Sequence, residues 1–322
     1  MKAAVYQKYG PPEVVQVKEI EKPVPKDNEV LIRVHASTVN RTDCGFRSAN
    51  YFVSRFWSGL FRPNNQVLGN EFAGKVEATG KAVATFNPGD KVFGYDDAKF
   101  GAHAEYMVLA EKDAITTMPK NLSYEEAAPI TEGAHYALSY IRAIKLNKYK
   151  GIQMLIYGAT GAIGSAAVQL CKYYGAEVTA VCNTKNLELV RSLGADEAID
   201  YTRQDFTKTG KKFDVVFDAV GKSSFGKCKP LLKKKGIYMS TELGRMSQNP
   251  FLALFTPLLG GKKVLFPLPT ISKEDVVFLK DLVENKQFKP VIDRTYFLEE
   301  IVEAHKYVET GQKTGNVVIT ME

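Results

Sequence analysis

Residues 155–170 read LIYGATGAIGSAAVQL, and how that stretch folds decides what the chain is. An apolar run, LIY, enters a turn of small residues and leaves as a helix-like segment. Two readings are open: a loop that cradles a pyrophosphate, or a tight turn between a buried strand and a helix. The first needs a sharp turn, a backbone that approaches phosphate with no Cβ in the way, and unpaired N–H groups at a helix start facing the anion. Gly158, Ala159, Thr160, Gly161, Ala162, Ile163 and Gly164 supply these. Their register against G-x-G-x-x-G places Ala159 at the first glycine, with Gly158 added before it. Gly161 is then the residue of closest approach, and Gly164 lets the helix pack on the strand.

The surroundings favour the pyrophosphate reading. After Gly151 the chain alternates QMLIY, GSAAVQLCKYY, EVTAVC, LELVRSL, EAID, FDVVFDAV and GIYMS. Short apolar runs alternating with helical stretches predict βαβ units and a parallel sheet buried on both faces. The second strand, EVTAVC, ends in Asn183-Thr184-Lys185, where an NAD site normally carries Asp or Glu for the ribose 2′-OH. A carboxylate there repels a 2′-phosphate, whereas Asn, Thr and Lys offer donors and a positive charge, so NADPH is the expected coenzyme. Tyr201 and Arg203, in DYTR, are further candidates for that phosphate. The alternative for Lys185 is a solvated lysine at a helix start.

Upstream, the first 120 residues are punctuated by Gly, Pro and Asn and carry short β-rich runs such as EVLIRVHAST, EFAGKVEATG and DKVFGY. They predict a compact barrel-like β domain. Ser123 with Glu126 forms a capping box that opens a helix to about Ile141. SKEDVVFLKDLVEN and LEEIVEAHKYVE read as amphipathic helices and GNVVIT as a closing strand. PFLALFTPLLGG, at 250–261, reads as a buried wall or a subunit contact.

Composition sets the limits. The 322 residues are 45% hydrophobic and 25% charged, enough for two domains with separate cores. Lys and Arg exceed Asp and Glu by 43 − 36 = +7, in small clusters without a basic stripe interleaved with aromatics. Nucleic-acid binding is not expected from this pattern. No window approaches the roughly 18 uninterrupted apolar residues of a membrane span, and MKAAVYQKYGPPE lacks the layout of a signal peptide. Cys44, Cys171, Cys182 and Cys228 are far apart and form no CxxC. A cytoplasmic protein is expected.

With these residues in hand, the chain resembles the medium-chain dehydrogenase/reductase superfamily, in its zinc-free quinone oxidoreductase branch, which includes zeta-crystallin. The resemblance covers essentially the whole chain: MKAAVYQKYGPPEVVQV, VLIRVHASTVNRTDCGFRS, VLGNEFAGKVEATG, FNPGDKVFGY, the glycine loop, LGADEAIDYT, FDVVFDAVG and TGNVVI. It implies an α/β protein made of a GroES-like β-barrel domain, 1–122 completed by 272–322, and a doubly wound Rossmann domain with a parallel sheet, 123–271, with a cleft at their junction. It adds Val220, Gly221 and Asn316 to the implied coenzyme contacts and implies a homodimer.

Zinc-dependent relatives have Cys at the position of Asn40 and His at that of Asn70; amides are poor zinc ligands, so no metal is expected. Without a metal to polarise a carbonyl, hydride addition suits an acceptor that is already electron-poor, a quinone or an α,β-unsaturated carbonyl. The resemblance places Asn40 beside the nicotinamide, as a donor to the substrate oxygen or as an Asn that holds a loop. It places Tyr51 as a proton or hydrogen-bond donor, or as a cap on an apolar wall. Asp43 braces the backbone. Three features depart from the branch: the long aromatic segment FVSRFWSGLFRPNNQ after Tyr51, His135 in place of a common threonine, and GNVV in place of GKVV. Two other activities stay open, an enoyl-thioester reductase and an RNA-binding or structural zeta-crystallin-like protein.

Overall fold

A computed structural model describes residues 1–49 and 55–321; Tyr51 lies outside the described residues. The chain divides into two compact units, Met1–Glu132 with Ile271–Lys286 and Pro290–Glu322, and Gly133–Thr270 with Gln287–Lys289. Residues 123–132, assigned to the nucleotide-binding domain on sequence, belong to the first unit. The buried Glu71 carboxylate accepts from the backbone N–H of Thr131 (2.9 Å) and of Glu132, which tethers that segment.

The first unit begins with β1 (Lys2–Tyr6) and β2 (Val15–Glu19), paired antiparallel. The long β3 (Glu29–Val39) pairs antiparallel with β4 (Glu71–Thr79) and β6 (Tyr106–Ala110). From β4 the sheet continues through β5 (Lys91–Tyr95) to β7 (Ile115–Thr117). Val30, Ile32 and Val34 alternate along β3 and meet Phe72, Val76, Val92, Leu109 and Ile115 in one core. Ser123 does cap a helix, bonding Glu126 in a capping box, but the helix stops at Ala127. Pro129 (ψ 20°), with no N–H to give, breaks it, and a second helix runs Glu132–Ala143.

The second unit holds β8 (Gln153–Tyr157), β9 (Glu177–Cys182), β10 (Glu197–Asp200), β11 (Phe213–Asp218), β12 (Leu232–Ser240) and β13 (Lys263–Leu265). All pair in parallel, in the order β10-β9-β8-β11-β12-β13. That is the 3-2-1-4-5-6 order of the doubly wound dinucleotide fold, which brings ligands to the carboxyl ends of the strands. The centres of these strands are apolar on both faces, as the runs MLI, VTAVC and VVF require. The chain then returns to the first unit, where β14 (Ile292–Phe297) lies parallel to β15 (Asn316–Thr320) and β15 pairs with β3.

The apolar stretch 250–261 is not a buried wall. It forms the helix Gln248–Phe255 and a short turn, with Phe251, Leu254, Phe255, Leu258 and Leu259 between 57% and 80% exposed. These residues lie next in the chain to β13, the last strand at that edge of the sheet. No described helix is long and apolar enough to cross a membrane.

Candidate coenzyme site and the buried amide–carboxylate network

β8 delivers the glycine turn to the carboxyl edge of the parallel sheet. Gly158 sits at φ +78°, and a Cβ there would lie 2.4 Å from Val220 Cγ1. Its N–H and that of Ala159 both donate to Val181 O at 3.2 Å, pinning the turn across the neighbouring strand. A Cβ on Gly164 would lie 2.0 Å from Gly158 O, so helix and strand touch there through backbone alone. Gly161 is different. Its backbone is extended (φ −72°), and a Cβ would meet nothing nearer than Gly158 O at 3.7 Å. Neither conformation nor packing demands glycine at 161, and the space a side chain would take is open. Gly161 is also the N-cap of the helix Ala162–Tyr173 with no side chain to cap it, leaving first-turn N–H groups of Ala162, Ile163 and Gly164 for an anion. Thr160 is half-buried at the tip of the turn.

At the end of β11, Asp218 organises the next loop. Its buried carboxylate accepts from the N–H of Val220 (3.2 Å), Gly221 (2.8 Å) and Ser223 (2.8 Å) and from Tyr238 Oη (3.1 Å). Val220 and Gly221 are thereby gathered beside Gly158. A carboxylate ending a strand just ahead of a glycine is a local turn signal, and it marks Asp218 in the sequence.

At the end of β9, Asn183 leads into the turn Thr184–Asn186, and its buried Oδ1 has no partner among the described residues. Lys185 is exposed. The hydroxyl of Thr184 donates to Asp200 Oδ2 at 2.5 Å, and Arg203 Nε lies 3.4 Å from the same oxygen. Tyr201 is 47% exposed, its ring edge-on to Tyr157 at 6.3 Å. The glycine turn, Val220, Gly221, Asn183–Lys185, Tyr201 and Arg203 therefore share the carboxyl edge of one sheet. These residues fit a dinucleotide: a cradle with room at Gly161, a helix start without a cap, and polar groups at the ends of β9 and β10. Asn316 lies on β15 of the first unit, where its amide donates to Val291 O at 2.9 Å and its buried Oδ1 has no partner among the described residues.

The first unit holds a second constellation. Asn40 is the N-cap of the helix Arg41–Ser48, its Oδ1 accepting from Thr42 N (3.1 Å) and Asp43 N (3.4 Å), while Asp43 answers by accepting from Asn40 N (2.9 Å) and Gly69 N (2.9 Å). Asn40 Nδ2 donates to Asn70 Oδ1 at 3.0 Å, and Asn70 Nδ2 donates to Glu132 Oε2 at 2.9 Å. Thr42 Oγ1 lies 2.6 Å from Glu132 Oε1. Glu71 accepts from Thr38 Oγ1 (2.7 Å) and from Thr131 N and Oγ1 (both 2.9 Å). The side chains of Asn40, Asn70, Glu71 and Glu132 are all buried. Burial, reinforced by the nearby Glu71 charge, pushes the Glu132 carboxyl up to about 8, and burial pushes Glu71 up as well. Burial also pulls the Lys313 amine down to about 8, against the opposing pull of Glu71 and Glu132.

This network bears on Asn40 and on metal. Both atoms of the Asn40 carboxamide have partners in the chain itself. The donor set does not fit zinc: the two ligand positions carry amides bonded to each other, and Glu71 is committed to Thr38, Thr131 and Glu132. Among the described residues no three His, Cys, Asp or Glu side chains gather as a metal-binding group. Glu132, Thr42 and Lys313 were not singled out on sequence. Nothing in their local sequence marks them, because the partners that give them a role are distant in the chain.

Comparison with known proteins agrees with this architecture. The alcohol dehydrogenase GroES-like domain family matches residues 26–120, and the zinc-binding dehydrogenase family matches 193–319. The 2-methylene-furan-3-one reductase of Solanum lycopersicum is 33% identical over 331 residues, 99% of this chain and 79% of that protein. The chloroplastic quinone-oxidoreductase homolog of Spinacia oleracea is 31% identical, covering 99% of this chain and 98% of that one. The quinone oxidoreductase from Coxiella burnetii superposes with a TM-score of 0.88 at 27% identity, over 100% of this chain and 99% of that one. On these matches the chain belongs to the medium-chain dehydrogenase/reductase superfamily, in its quinone oxidoreductase branch, and is an oxidoreductase that works with a nicotinamide coenzyme.

Proposed function

We propose that the protein is a zinc-independent, NADPH-dependent reductase of α,β-unsaturated carbonyls and quinones. The observation that carries this reading is the hydrogen bond between the buried amides of Asn40 and Asn70, the two positions where the resemblance puts the Cys and His ligands of zinc-dependent relatives, continued from Asn70 to Glu132. A site without a Lewis acid suits acceptors whose own conjugation spreads the negative charge that hydride addition creates. Relatives named as a 2-methylene-furan-3-one reductase, an NADPH-dependent alkenal/one oxidoreductase (Arabidopsis thaliana, 32% identical) and a quinone oxidoreductase support the same acceptor class.

NADPH supplies the hydride when bound; the chain supplies binding and position. The helix start at Gly161–Gly164 takes the pyrophosphate, and Lys185 takes the 2′-phosphate. Asn40 sets the start of the helix Arg41–Ser48 and so the placement of Thr42. Tyr51 is the donor to the substrate oxygen.

The test is NADPH oxidation against a benzoquinone, an alkenone and an enoyl thioester, with alcohol oxidation as the control, each with and without a chelator. The reading expects turnover of quinone or alkenone that ignores the chelator. Alcohol oxidation abolished by the chelator, with no quinone or alkenone turnover, defeats it. Tyr51→Phe then separates the acceptors: a tyrosine that protonates or hydrogen-bonds an enone is worth ~10²–10⁴ in rate, whereas a reduced quinone takes its protons from water.

A further inference from the structure

β9 ends in Asn183-Thr184-Lys185, which stand in place of an acid. The fold supplies an acid from the next strand. β10 runs parallel to β9 with Asp200 opposite Cys182, so the two strands end side by side. Asp200 Oδ2 accepts from Thr184 Oγ1 at 2.5 Å and lies 3.4 Å from Arg203 Nε. Its Oδ1 accepts from Thr202 N at 2.9 Å and Thr202 Oγ1 at 2.7 Å, and the two threonine hydroxyls are 3.1 Å apart.

We infer that Asp200 is a specificity-determining residue acting against the 2′-phosphate, so that Lys185 alone carries the preference for NADPH and NADH stays a usable coenzyme. This deepens the function proposed above and rests on it. A 2′-phosphate at the end of β9 would call on the Thr184 hydroxyl and the Arg203 guanidinium, and both are already engaged by Asp200. Recruiting the Thr184 hydroxyl means taking a charge-assisted hydrogen bond from a carboxylate, and the exposed Arg203 would have to leave its ion pair with the same oxygen. The Thr184 hydroxyl, with help from Thr202, holds the Asp200 carboxyl below its ordinary range, so it stays ionised at neutral pH and repels an incoming dianion. Lys185 is exposed, with no ion-pair partner among the described residues, and its charge is unspent. A ribose with a free 2′-OH carries no phosphate charge for Asp200 to repel.

Asp200 acts through its neighbours, so the readout is a ratio that general loosening of the site would not move. The whole purified protein is titrated calorimetrically with 2′,5′-ADP and with 5′-AMP, which differ by the 2′-phosphate. Asp200→Asn keeps the shape and the bond to Thr202 N–H but removes the charge. It is expected to raise the affinity ratio of 2′,5′-ADP over 5′-AMP by about tenfold, the scale of one charge-assisted contact regained. An unchanged or lower ratio overturns the inference, a lower one meaning that Asp200 aims Thr184 and Arg203 at the phosphate. Thr184→Val serves if Asp200→Asn does not fold. It should leave the ratio within about twofold, and a larger fall overturns the inference. Should the unmodified protein bind both nucleotides equally, the NADPH reading fails, while the effect of Asp200→Asn still decides the role of Asp200.

Discussion

Asn40 Nδ2 donates to Asn70 Oδ1 at 3.0 Å, so the two buried amides hold one another. Neither oxygen is left as a free ligand: Asn40 Oδ1 caps a helix, and Asn70 Oδ1 takes this bond. The purified protein should therefore contain no stoichiometric zinc by elemental analysis, and a chelator should leave NADPH oxidation unchanged. About one tightly held zinc per chain would contradict this.

Stability should fall with rising pH in a window set by Glu132. Its carboxyl is held up to about 8 in the folded protein and returns to the ordinary carboxylate range when unfolded. Between those values the folded state binds the extra proton, so the stabilisation is complete at the acid end and lost as pH rises through about 8. Glu132→Gln, which keeps an acceptor for Asn70, should flatten the thermal-melt profile between about pH 5 and 8. A variant whose melting temperature follows pH as steeply as the parent's would show that Glu132 is not the group responsible.

Gly161→Ala and Gly164→Ala should fail in opposite ways. A methyl at 161 meets open space, so the melting temperature should stay put while coenzyme binding, read by quenching of protein fluorescence, weakens at least tenfold. A methyl at 164 meets Gly158 O at 2.0 Å and should cost about 1–3 kcal/mol of stability. Undiminished coenzyme binding by Gly161→Ala would remove that residue from the cradle.

Lys185→Ala should lower NADPH affinity roughly ten- to a hundredfold while leaving NADH within about twofold, the loss of one charge-assisted phosphate contact. Equal losses for the two coenzymes would assign Lys185 to a general role at the helix start.

The exposed Phe251, Leu254, Phe255, Leu258 and Leu259 predict that the protein is a dimer in solution. Light scattering should give twice the chain mass, and Leu258→Glu should give the monomer with secondary structure intact. A monomeric parent would remove the dimer from this account.

Much of the architecture was legible in local pattern. The strands β8, β9 and β11 stand out because both faces are buried, so their residues are apolar without alternation. The glycine turn stands out because a positive φ at Gly158 and a backbone contact at Gly164 tolerate no side chain. The failures were also physical. The capping box at Ser123 and the apolar spacing after it suggested one helix, but Pro129 removes an N–H in the middle. Between the two readings of 250–261 the sequence could not choose, because hydrophobicity reports the kind of surface a segment presents, not whether this chain covers it; the exposure of Phe251, Leu254, Phe255, Leu258 and Leu259 removes the buried wall.

By itself the sequence determined the parallel sheet, the turn that opens its first helix, and the amides at 40 and 70, since each follows from residue type and from spacing over a few positions. Only the tertiary structure decided what those groups do. Asn40 turns out to be bonded to Asn70, 30 residues away, Thr42 to Glu132, 90 residues away, and Thr184 to Asp200 on the adjacent strand. Hydrogen bonds and buried charges depend on which distant segments the fold brings within 3 Å, and on how much water it excludes around them. Periodicity along the chain carries no record of either.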